Sequence, residues 1–514
     1  MIRNFTLFGL AMVVFVAFGG AVRQPVVTSE PMAFESVDAY VSAQMKELGI
    51  PGAALVIVQG DQIVHLRAFG VADAGGRPVT AETPFFTGST GKSVTALAIL
   101  QLVEAGAIRL DAPVQTYLPW FHVADADASK RITVRQLLTM TSGLSTRIGR
   151  EQLTDTDPGD AAIEDNVRAL AQTELIAPPG ERFEYSNSNY IALGMIIQAV
   201  TGQSYEAYIQ EHIFQPLDMQ HSFTSKIEAQ RAGLVVGYQK WFGVPLASPD
   251  LPFVRGALPA GELTMSARDF GHYLTAQLNG GKYQGRSVLS PAGIAELHRP
   301  AVQTAGMTHA YAMGWEVHAY QDVKVISHDG AVPGYTTGMF LVPEKNLAVA
   351  LMMNTYSPML GNRVGGVPAN VLHLLLGQKT VPMREYPAMQ IVYALVLSAP
   401  VLQFVVVARD LRRSRSWRTR TQLPTRVEAI SFVSGPILWN MALACVLLLL
   451  LPSAFGANLT ATLHFQPDVG WVATITGLFA IIWGIASSGC RVSMVRFTIR
   501  RSKPAERLSK WPAQ

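Results

Sequence analysis

Residues 85–97 read FFTGSTGKSVTAL, and this stretch decides how the rest of the chain is interpreted. Two aromatic residues precede a run of small ones, and an apolar pattern typical of a helix follows. Ser89 and Lys92 lie three positions apart, so on a helix their side chains share a face. The stretch therefore predicts either an ordinary helix start capped by a serine, or a serine nucleophile with a lysine base beside it.

A catalytic pair of Ser89 and Lys92 would require a particular local environment. A serine hydroxyl is a weak nucleophile at neutral pH and needs an adjacent base. A lysine amine serves as that base only when burial or a nearby positive charge lowers its pKa. A helix N-terminus would add backbone N–H groups close to the negative charge that develops on an attacked carbonyl oxygen. Taken alone the pattern favours the serine cap, which is its commoner use.

The composition of the 514-residue chain indicates an enzyme-sized domain together with membrane segments. Only 15% of the residues are charged, and the mean hydropathy of +0.23 is apolar for a water-soluble protein. Residues 381–514 carry fifteen Lys and Arg against five Asp and Glu, whereas the preceding 380 residues carry a net charge of −6. The basic character belongs to the C-terminal part, so we expect no nucleic-acid partner.

The cysteine and histidine patterns argue against a metal site. Cys445 and Cys490 both lie in or beside C-terminal apolar runs, so residues 1–380 contain no disulfide and no cysteine ligand for zinc. The 11 histidines form no HExxH or comparable motif. We expect neither a metal nor another cofactor.

Apolar runs at the two ends of the chain predict membrane targeting and anchoring. Residues 1–21 have a basic start, an apolar run and a small-residue end, the layout of a signal peptide or an uncleaved signal anchor. Three apolar runs near the C-terminus, at about 388–408, 429–452 and 469–489, are each long enough to span a bilayer as a helix.

The charges that flank the C-terminal runs predict their orientation. Seven arginines lie between the first and second runs and more Lys and Arg follow the third, but the segment between the second and third runs has none. Positive residues favour the cytoplasmic side, so the first loop and the basic tail over 491–514 are predicted to be cytoplasmic. Three transmembrane helices within 388–490 would then anchor a domain over 30–380 outside the cytoplasm, in the periplasm at a bacterial inner membrane.

The pattern of the domain over 30–380 predicts an α/β (α+β) fold. Residues 53–60 and 62–70 read as a β-hairpin, and four short β-rich runs lie between 313 and 355. The helical patterns lie at 89–105, 133–140, 161–174, 188–201, 204–212, 266–278, 290–298 and 361–376. An antiparallel sheet built from both ends of the chain, flanked by helices and carrying a helical subdomain, fits this order.

A second segment with possible chemistry is PPGERFEYSNSNYIALG, residues 178–194. Tyr185 and Asn187 lie between a turn and a predicted helix, where packing and capping are their ordinary uses. The functional alternative makes the Tyr185 phenol a proton carrier whose pKa is lowered by Lys92, and the Asn187 amide a hydrogen-bond partner for the substrate.

A third segment is VKVISHDGAVPGYTTG, residues 323–338. His328 ends one predicted strand, where a lone histidine is more often structural. The functional alternative is an edge strand that pairs with an extended substrate, with the Ala331 N–H as a donor to an oxyanion.

The order and spacing of these segments resemble those of serine β-lactamases and penicillin-binding proteins. The matching residues are Ser89-Thr90-Gly91-Lys92, Tyr185-Ser186-Asn187 and His328-Asp329-Gly330. The chain is most similar to the branch that contains class C β-lactamases, D-alanyl-D-alanine carboxypeptidases, D-aminopeptidases and related esterases. Segments 132–144 and 258–270 support the resemblance, which covers nearly all of 35–380. It implies a β-lactamase/transpeptidase-like fold.

The resemblance implies a role for each motif residue. Ser89 would be the acylated nucleophile, Lys92 its activator and Tyr185 the acid–base group that also assists deacylation. The implied substrate-binding residues are Asn187, which would orient the substrate amide, His328, Gly330 and Ala331, with the Ser89 and Ala331 N–H groups forming the oxyanion hole.

Two departures from the family pattern bear on the substrate. The third motif is His-Asp-Gly where class C β-lactamases carry Lys-Thr-Gly, so a fixed cation for a β-lactam carboxylate is missing. Met140 replaces a common histidine, and we interpret it as a packing residue. The nucleophile elbow of α/β-hydrolases does not fit, because Thr87 occupies the position of its first glycine.

The function implied is hydrolysis of a small peptide or ester, and a D-amino-acid-containing peptide is the preferred substrate. The alternatives are a carboxylesterase, a weak β-lactamase and a prodrug-activating D-amino-acid peptidase, which shares the arrangement of a periplasmic domain followed by three spans. A receptor acylated by β-lactams is the non-enzymatic alternative, but the inner loop over 409–427 and the short tail leave no room for a signalling domain.

Overall fold

The computed structural model describes residues 34–304, 309–320, 323–357, 361–383, 387–420, 422–454 and 456–502. The predicted signal segment over 1–21 and the tail from residue 503 lie outside the described residues. The described residues fall into two compact units, a first unit within 34–383 and a second unit within 387–502.

The first unit contains thirteen described α-helices and fifteen described strands. The helices are α1 (Phe34–Leu48), α2 (Lys92–Glu104), α3 (Ala126–Arg131), α4 (Val134–Leu138), α5 (Thr146–Glu151), α6 (Ala162–Arg168), α7 (Asn187–Thr201), α8 (Tyr205–Ile209), α9 (Lys226–Arg231), α10 (Leu258–Gly261), α11 (Ala267–Leu278), α12 (Pro291–Leu297) and α13 (Gly361–Leu375). The strands are β1 (Gly52–Gln59), β2 (Gln62–Gly70), β3 (Phe85–Phe86), β4 (Tyr238–Trp241), β5 (Val244–Ala247), β6 (Thr264–Met265), β7 (Lys282–Tyr283), β8 (Arg286–Ser287), β9 (Val302–Gln303), β10 (Ala310–Tyr311), β11 (Glu316–Tyr320), β12 (Val323–Val332), β13 (Tyr335–Val342), β14 (Leu347–Met353) and β15 (Thr355–Tyr356).

The main sheet has eight strands in the order β2-β1-β14-β13-β12-β11-β10-β9, and every pair is antiparallel. Strands β1 and β14 are neighbours although almost three hundred residues separate them, with Ala53 opposite Met353. The predicted antiparallel sheet built from both ends of the chain is therefore confirmed, as are the hairpin of β1 and β2 and the four C-terminal strands.

Strand β1 shows why this sequence folds as a central strand. GAALVIVQ is a nearly continuous apolar run, as expected for a strand that is buried on both faces. Ala54, Val56 and Val58 face a core that includes α2, α7 and α11. The alternating side chains, Leu55 among them, face a second core beneath α1 and α13. Each fully buried Val, Leu or Ile stabilises the fold by about 1.5–3 kcal/mol.

Each predicted helical segment contains a helix that differs mainly at its ends, whereas the sequence analysis missed α1, α3, α5, α9 and α10. The segment 89–105 begins with a 3₁₀ turn at Gly88–Gly91 before α2. The segment 204–212 contains α8 and then enters a π-helical turn at Gln210–Phe214. Hydrophobic periodicity locates a helix but does not distinguish an α-helical turn from its tighter or wider relatives.

The second unit contains five described helices: α14 (Pro387–Arg418), α15 (Arg426–Cys445), α16 (Leu451–Ala454), α17 (Leu459–Phe465) and α18 (Pro467–Ser502). Three helical segments, Gln390–Arg418, Arg426–Ala454 and Pro467–Ile499, are long and apolar enough to cross a membrane. They coincide with the three predicted apolar runs to within two residues at the start of the first and contain the other two.

The helices of the second unit extend beyond the apolar runs that the sequence marks. Helix α14 continues through the arginine-rich segment, because arginine is a good helix former. The extensions bring Asp410 and Arg491 together, with 2.9 Å between Asp410 Oδ1 and Arg491 Nη2. The apolar runs contain almost no ionisable residue, but the full helices hold this buried ion pair.

Candidate active site

Ser89 lies in the 3₁₀ turn that joins β3 to α2, and its side chain is partly exposed. It does not cap α2, since Gly91 occupies that position and makes no side-chain cap. The alternative of an ordinary serine cap is therefore wrong. Backbone hydrogen bonding holds the turn in place, because the Thr87 N–H donates to the Leu263 carbonyl beside α10.

Lys92 begins α2, and its side chain is fully buried. Its Nζ atom lies 3.0 Å from Ser89 Oγ, 2.8 Å from Asn187 Oδ1 and 2.5 Å from the Ala260 carbonyl oxygen. None of these three partners is charged. Burial without a counter-ion disfavours the ammonium form, and it lowers the pKa of Lys92 well below its usual value.

Tyr185 also lies beside Ser89. Its phenol shares a hydrogen bond with the Ser89 side chain, and Lys92 Nζ lies 5.1 Å from the centre of its ring. Burial raises the pKa of Tyr185 above its usual value. The predicted lowering of this pKa by Lys92 is therefore wrong. Burial disfavours the charged phenolate form of Tyr185. Lys92 does not offset this effect, because burial also favours the neutral form of the lysine.

Asn187 is the first residue of α7 and is almost fully buried. Its Oδ1 accepts from Lys92, and its Nδ2 donates to the Gly149 carbonyl at 3.2 Å. Both ends of the amide thus have protein partners. In this structure Asn187 orients Lys92, and its predicted contact with substrate stays a prediction.

Two glycines allow the nucleophile turn to approach β12 closely. A Cβ atom at Gly88 would lie 2.4 Å from the Ala331 nitrogen, and one at Gly330 would lie 2.0 Å from the Thr87 carbonyl oxygen and 3.2 Å from the Ser89 nitrogen. Any side chain at either position would push the two segments apart. The close approach brings the Ala331 nitrogen next to Gly88 and the Ser89 nitrogen next to Gly330, as an oxyanion hole formed by these two N–H groups would require.

Strand β12 is not an edge strand, which corrects the prediction for this segment. It pairs with β13 on one side and β11 on the other. Pairing with β11 ends at Ser327, however, and residues 328–332 continue along β13 alone among the described strands. The part of β12 beside Ser89 is therefore a local edge, and it can still receive an extended substrate.

His328 is buried, and protein atoms approach both nitrogens of its ring. Nδ1 lies 2.7 Å from the Asp329 carbonyl oxygen and Nε2 lies 3.3 Å from the Tyr311 hydroxyl. Burial lowers the pKa of His328 to about 3, so the ring is neutral at physiological pH. The ring also lies 6.2 Å from that of Tyr185. Both ring nitrogens thus have protein partners, and the predicted contact of His328 with substrate stays a prediction.

Two buried carboxyl groups lie near these rings: Asp329 belongs to the third motif, but Glu316 was not identified from the sequence. Burial raises the pKa of Asp329 to about 7 and raises the pKa of Glu316 well above its usual value. Glu316 lies on β11, opposite Ser327 of β12. Its location in the fold, rather than a motif, brings it to the site, so the sequence carries no signal for it.

Arg150 is a second residue that sequence reasoning missed. It follows Gly149, where a Cβ atom would lie 2.5 Å from the Asn187 nitrogen, so α5 packs directly on the second motif. The guanidinium interacts electrostatically with Tyr356, Glu184 and Tyr185, and partial burial lowers its pKa. The loop over 145–160 carries no recognisable motif, and only the packing of α5 reveals this cation.

Met140 also contributes to the position of the second motif. It is fully buried with a φ of +58°, and its sulfur lies 3.2 Å from Asn189 Nδ2 and 3.5 Å from the Ser186 nitrogen. Its interpretation as a packing residue agrees with these contacts.

Among the described residues, no group of three or more His, Cys, Asp or Glu side chains is placed to hold a metal ion. The absence of a cofactor stays a prediction.

Comparisons with known proteins agree with this geometry. The family model described as Beta-lactamase matches residues 37–365. Penicillin-binding protein 4 of Amycolatopsis lactamdurans is 33% identical over 317 residues, which cover 59% of this chain and 81% of the relative. Protein flp of Staphylococcus aureus (strain MW2) is 26% identical over 458 residues, 87% of this chain and 89% of the relative.

A solved structure extends the similarity to the fold. The octameric penicillin-binding protein homologue from Pyrococcus abyssi has a TM-score of 0.61 and 29% sequence identity, and the match covers 68% of this chain and 79% of that one. The family match includes all three motifs around Ser89. This chain therefore belongs to the beta-lactamase family, a family of serine hydrolases that includes penicillin-binding protein homologues.

Proposed function

We propose that this chain is a membrane-anchored, extracytoplasmic serine hydrolase that cleaves a small amide or ester through an acyl-enzyme at Ser89. The three hydrogen-bond partners of Lys92 support this proposal most strongly. A neutral amine has two hydrogens and one lone pair. Asn187 Oδ1 and the Ala260 carbonyl oxygen can only accept, so they take both hydrogens. In a neutral Lys92 the lone pair is then left for the hydrogen of the Ser89 hydroxyl, whose Oγ lies 3.0 Å from Nζ.

In the acylation step, Ser89 Oγ attacks the substrate carbonyl carbon while its proton moves to Lys92 Nζ. The negative charge that forms on the carbonyl oxygen is stabilised by the Ser89 and Ala331 N–H groups, which the close approach at Gly88 and Gly330 holds together. When the tetrahedral intermediate collapses, the Tyr185 phenol gives its proton to the leaving amine or alcohol. This step leaves a Lys92 ammonium beside a Tyr185 phenolate.

Deacylation runs the same proton transfers in reverse. The Tyr185 phenolate takes a proton from water, and the hydroxide attacks the acyl carbon. Ser89 Oγ then leaves and regains its proton from the Lys92 ammonium, so all three groups return to their starting states. The raised pKa of Tyr185 suits this cycle, because the resting phenol is protonated and ready to donate.

The substrate proposed is a small peptide, with a D-amino-acid residue at the cleaved amide, or an ester. A neutral, buried His328 supplies no cation where β-lactamases of the related branch carry lysine, which disfavours a dedicated β-lactamase. The short local edge at residues 328–332 suits an extended peptide. A prodrug-activating D-amino-acid peptidase and a carboxylesterase are the nearest alternatives. His328 and Asn187 act as positioning residues for Tyr185 and Lys92.

The proposed location is the periplasmic side of a bacterial inner membrane. Its supports are the three helices long enough to span a bilayer and the arginine-rich segment between the first two, which favours the cytoplasmic side. Residues 34–383 would then lie outside.

Active-site labelling tests the proposed nucleophile. A fluorophosphonate should modify wild-type protein at Ser89, and Ser89→Ala should abolish the modification. Ser93→Ala is the matched control, because Ser93 is a buried serine in the adjacent helix α2 that donates to the Thr90 carbonyl, and this substitution is expected to leave labelling unchanged. Wild-type labelling of Ser89→Ala would discard Ser89 as the nucleophile.

A substrate panel tests the proposed substrate class. Comparing the hydrolysis of D- and L-aminoacyl amides, short acyl esters and a β-lactam by the wild-type protein would rank these substrates.

A further inference from the structure

Helix α14 carries more positive charge near its end than its surroundings neutralise. Five of its arginines have exposed side chains and form no ion pair with a carboxylate among the residues that the structure describes: Arg409, Arg412, Arg413, Arg415 and Arg418. The acidic residues nearby are already engaged, Asp410 with Arg491 and Glu428 with Arg420. Like charges three or four residues apart destabilise a helix, so this segment favours an anion beside it.

Three of these side chains form an arginine cluster on one face of α14. Arg409, Arg412 and Arg413 have the spacing i, i+3 and i+4, which brings side chains together on a helix. The inward side of the helix is a different one, because Asp410 contacts α18 and the Trp417 ring stacks on α15. The arginine cluster is therefore directed away from the other helices of the second unit.

The same face of α14 is apolar before it becomes basic. Val401, Leu402 and Val405 lie one to three turns before the arginine cluster, and all three are exposed. We call these three residues the apolar face. From Gln390, where the span begins, to Ala408, the helix rises about 28 Å. This length is close to the hydrocarbon thickness of a bilayer, about 30 Å. The arginine cluster thus begins where the phosphate groups of a membrane would lie.

Contacts within the second unit hold the basic segment of α14 in a fixed position. The Trp417 ring stacks on that of Phe432 with 3.8 Å between their centres, and the Arg413 guanidinium lies 5.8 Å from the centre of the Phe432 ring. The ion pair between Asp410 and Arg491 adds a contact with α18. A flexible loop with the same charges would orient the chain in a membrane equally well. Fixed side chains are what a specific binding site needs.

We propose that the arginine cluster and the apolar face bind an anionic phospholipid of the membrane that anchors the chain. This inference rests on the proposed anchoring. Guanidinium groups bind phosphate oxygens through paired hydrogen bonds, and the acyl chains would lie along the apolar face. A headgroup with a net negative charge neutralises the cluster better than a zwitterionic one. A soluble acidic partner is a poorer occupant, because it would contact the arginines but not the apolar face.

The test compares two positions at a comparable distance along their helices from the ion pair of the second unit. Val405 and Ile485 are both exposed, at 46% and 57%, and lie five and six residues before Asp410 and Arg491. The residues four, seven and eight positions after Val405 are the arginine cluster. None of the corresponding residues after Ile485 is charged, so Ile485 is the matched control.

The full chain with Cys445→Ser and Cys490→Ser carries a fluorophore at either Val405→Cys or Ile485→Cys. It is reconstituted in vesicles of phosphatidylcholine and phosphatidylglycerol. In parallel samples one lipid or the other carries a nitroxide on its acyl chain, at the same mole fraction. The ratio of the two quenching values measures how far the anionic lipid is enriched beside the label.

Charge-matched variants distinguish a site from general attraction by net charge. In the cluster variant, all three residues of the arginine cluster are changed to glutamine. The control variant Arg415→Gln/Arg418→Gln/Arg426→Gln removes three exposed arginines at the same end of the second unit but outside the cluster. Both variants lose three positive charges. The comparison of Val405→Cys with Ile485→Cys depends on neither variant.

We expect the labelled phosphatidylglycerol to quench the Val405→Cys fluorophore several-fold more strongly than the labelled phosphatidylcholine, and the two lipids to quench the Ile485→Cys fluorophore equally. The cluster variant should lose this preference and the control variant should keep it.

Three results would overturn the proposal. Equal quenching by the two lipids at Val405→Cys would leave the arginines to a soluble acidic partner. An equal preference at both labelled positions, or an equal loss of preference in both variants, would show attraction by net charge alone. Flotation with the vesicles is scored separately. Protein that does not float refutes the anchoring and the lipid site together, whereas equal quenching in protein that floats refutes the lipid site alone.

Discussion

Lys92 in the first unit and Arg491 in the second are both buried basic side chains, but their partners differ. Lys92 Nζ contacts a hydroxyl, an amide oxygen and a backbone carbonyl oxygen, all uncharged. Arg491, whose side chain is 2% exposed, lies 2.9 Å from an Asp410 carboxylate oxygen and donates to the Phe432 carbonyl.

The partners decide what each buried group can do. A lysine without a counter-ion loses its proton and gains a lone pair, which makes it a base. An arginine is not deprotonated in proteins, and beside a carboxylate it becomes a structural contact between helices α14, α15 and α18. Burial alone therefore does not fix the protonation state of a basic side chain, because the charge of its nearest neighbours also contributes.

Removing the base should have the largest effect. Lys92→Met keeps the length and apolar character of the side chain but removes the lone pair, and we expect kcat/KM to fall by about 10²–10⁴. Lys240→Met is the matched control, since Lys240 is also buried and donates to a backbone carbonyl, but outside the site. Near-wild-type hydrolysis by purified Lys92→Met would remove this residue from the mechanism.

Removing the proton donor should have the next largest effect. Tyr185→Phe leaves the ring in place and deletes the hydroxyl beside Ser89, so turnover should fall by about 10² or more, with the larger loss for poor leaving groups. Tyr205→Phe deletes a comparable buried hydroxyl, which lies 2.7 Å from Thr95 Oγ1. This control should cost about 1 kcal/mol of stability without loss of turnover. Equal turnover of the two variants would contradict the assigned role.

Giving Lys92 a charged partner, as Arg491 has in Asp410, should stabilise the protonated form of the lysine. Asn187→Asp places a carboxylate where the amide oxygen now lies 2.8 Å from Nζ, and an opposite charge raises the pKa of the lysine. Less of the neutral amine then exists at a given pH, so kcat/KM at pH 7 should fall by about 10-fold or more and recover at higher pH. Asn187→Ala removes the acceptor without adding charge and should show no such recovery. An unshifted pH profile for Asn187→Asp would show that the charge of this neighbour does not control the pKa of Lys92.

Breaking the ion pair of the second unit should affect stability and leave hydrolysis unchanged. Asp410→Asn leaves Arg491 charged and uncompensated, which costs about 3–5 kcal/mol for a buried pair. The double variant Asp410→Leu/Arg491→Leu should recover most of the loss. Unfolding of the full chain in detergent measures both. Equal stability of Asp410→Asn and wild type would show that the ion pair between Asp410 and Arg491 does not stabilise the second unit.

The sequence predicts the fold well where local pattern and burial agree. The β1–β2 hairpin follows from a continuous apolar run and an intervening turn, and the meeting of Ser89 with Lys92 follows from helical spacing. The pKa of Tyr185 was misjudged because its burial depends on segments distant in sequence. The Ala260 carbonyl is a backbone group available at any residue type, and Arg150 reaches the site only through the packing of α5. None of these three has a local pattern that could reveal it.

The most direct test of the account is the pH dependence of Ser89 labelling by a fluorophosphonate, which reports the base without the later steps. Since the neutral amine is the active form, the rate should fall as pH drops through a single apparent pKa, well below the ordinary lysine value of 10.5. It should be level above that pKa, and Lys92→Met should remove the dependence. A rate that keeps rising through the ordinary lysine range would show that Lys92 is protonated at rest and would contradict its role as the base.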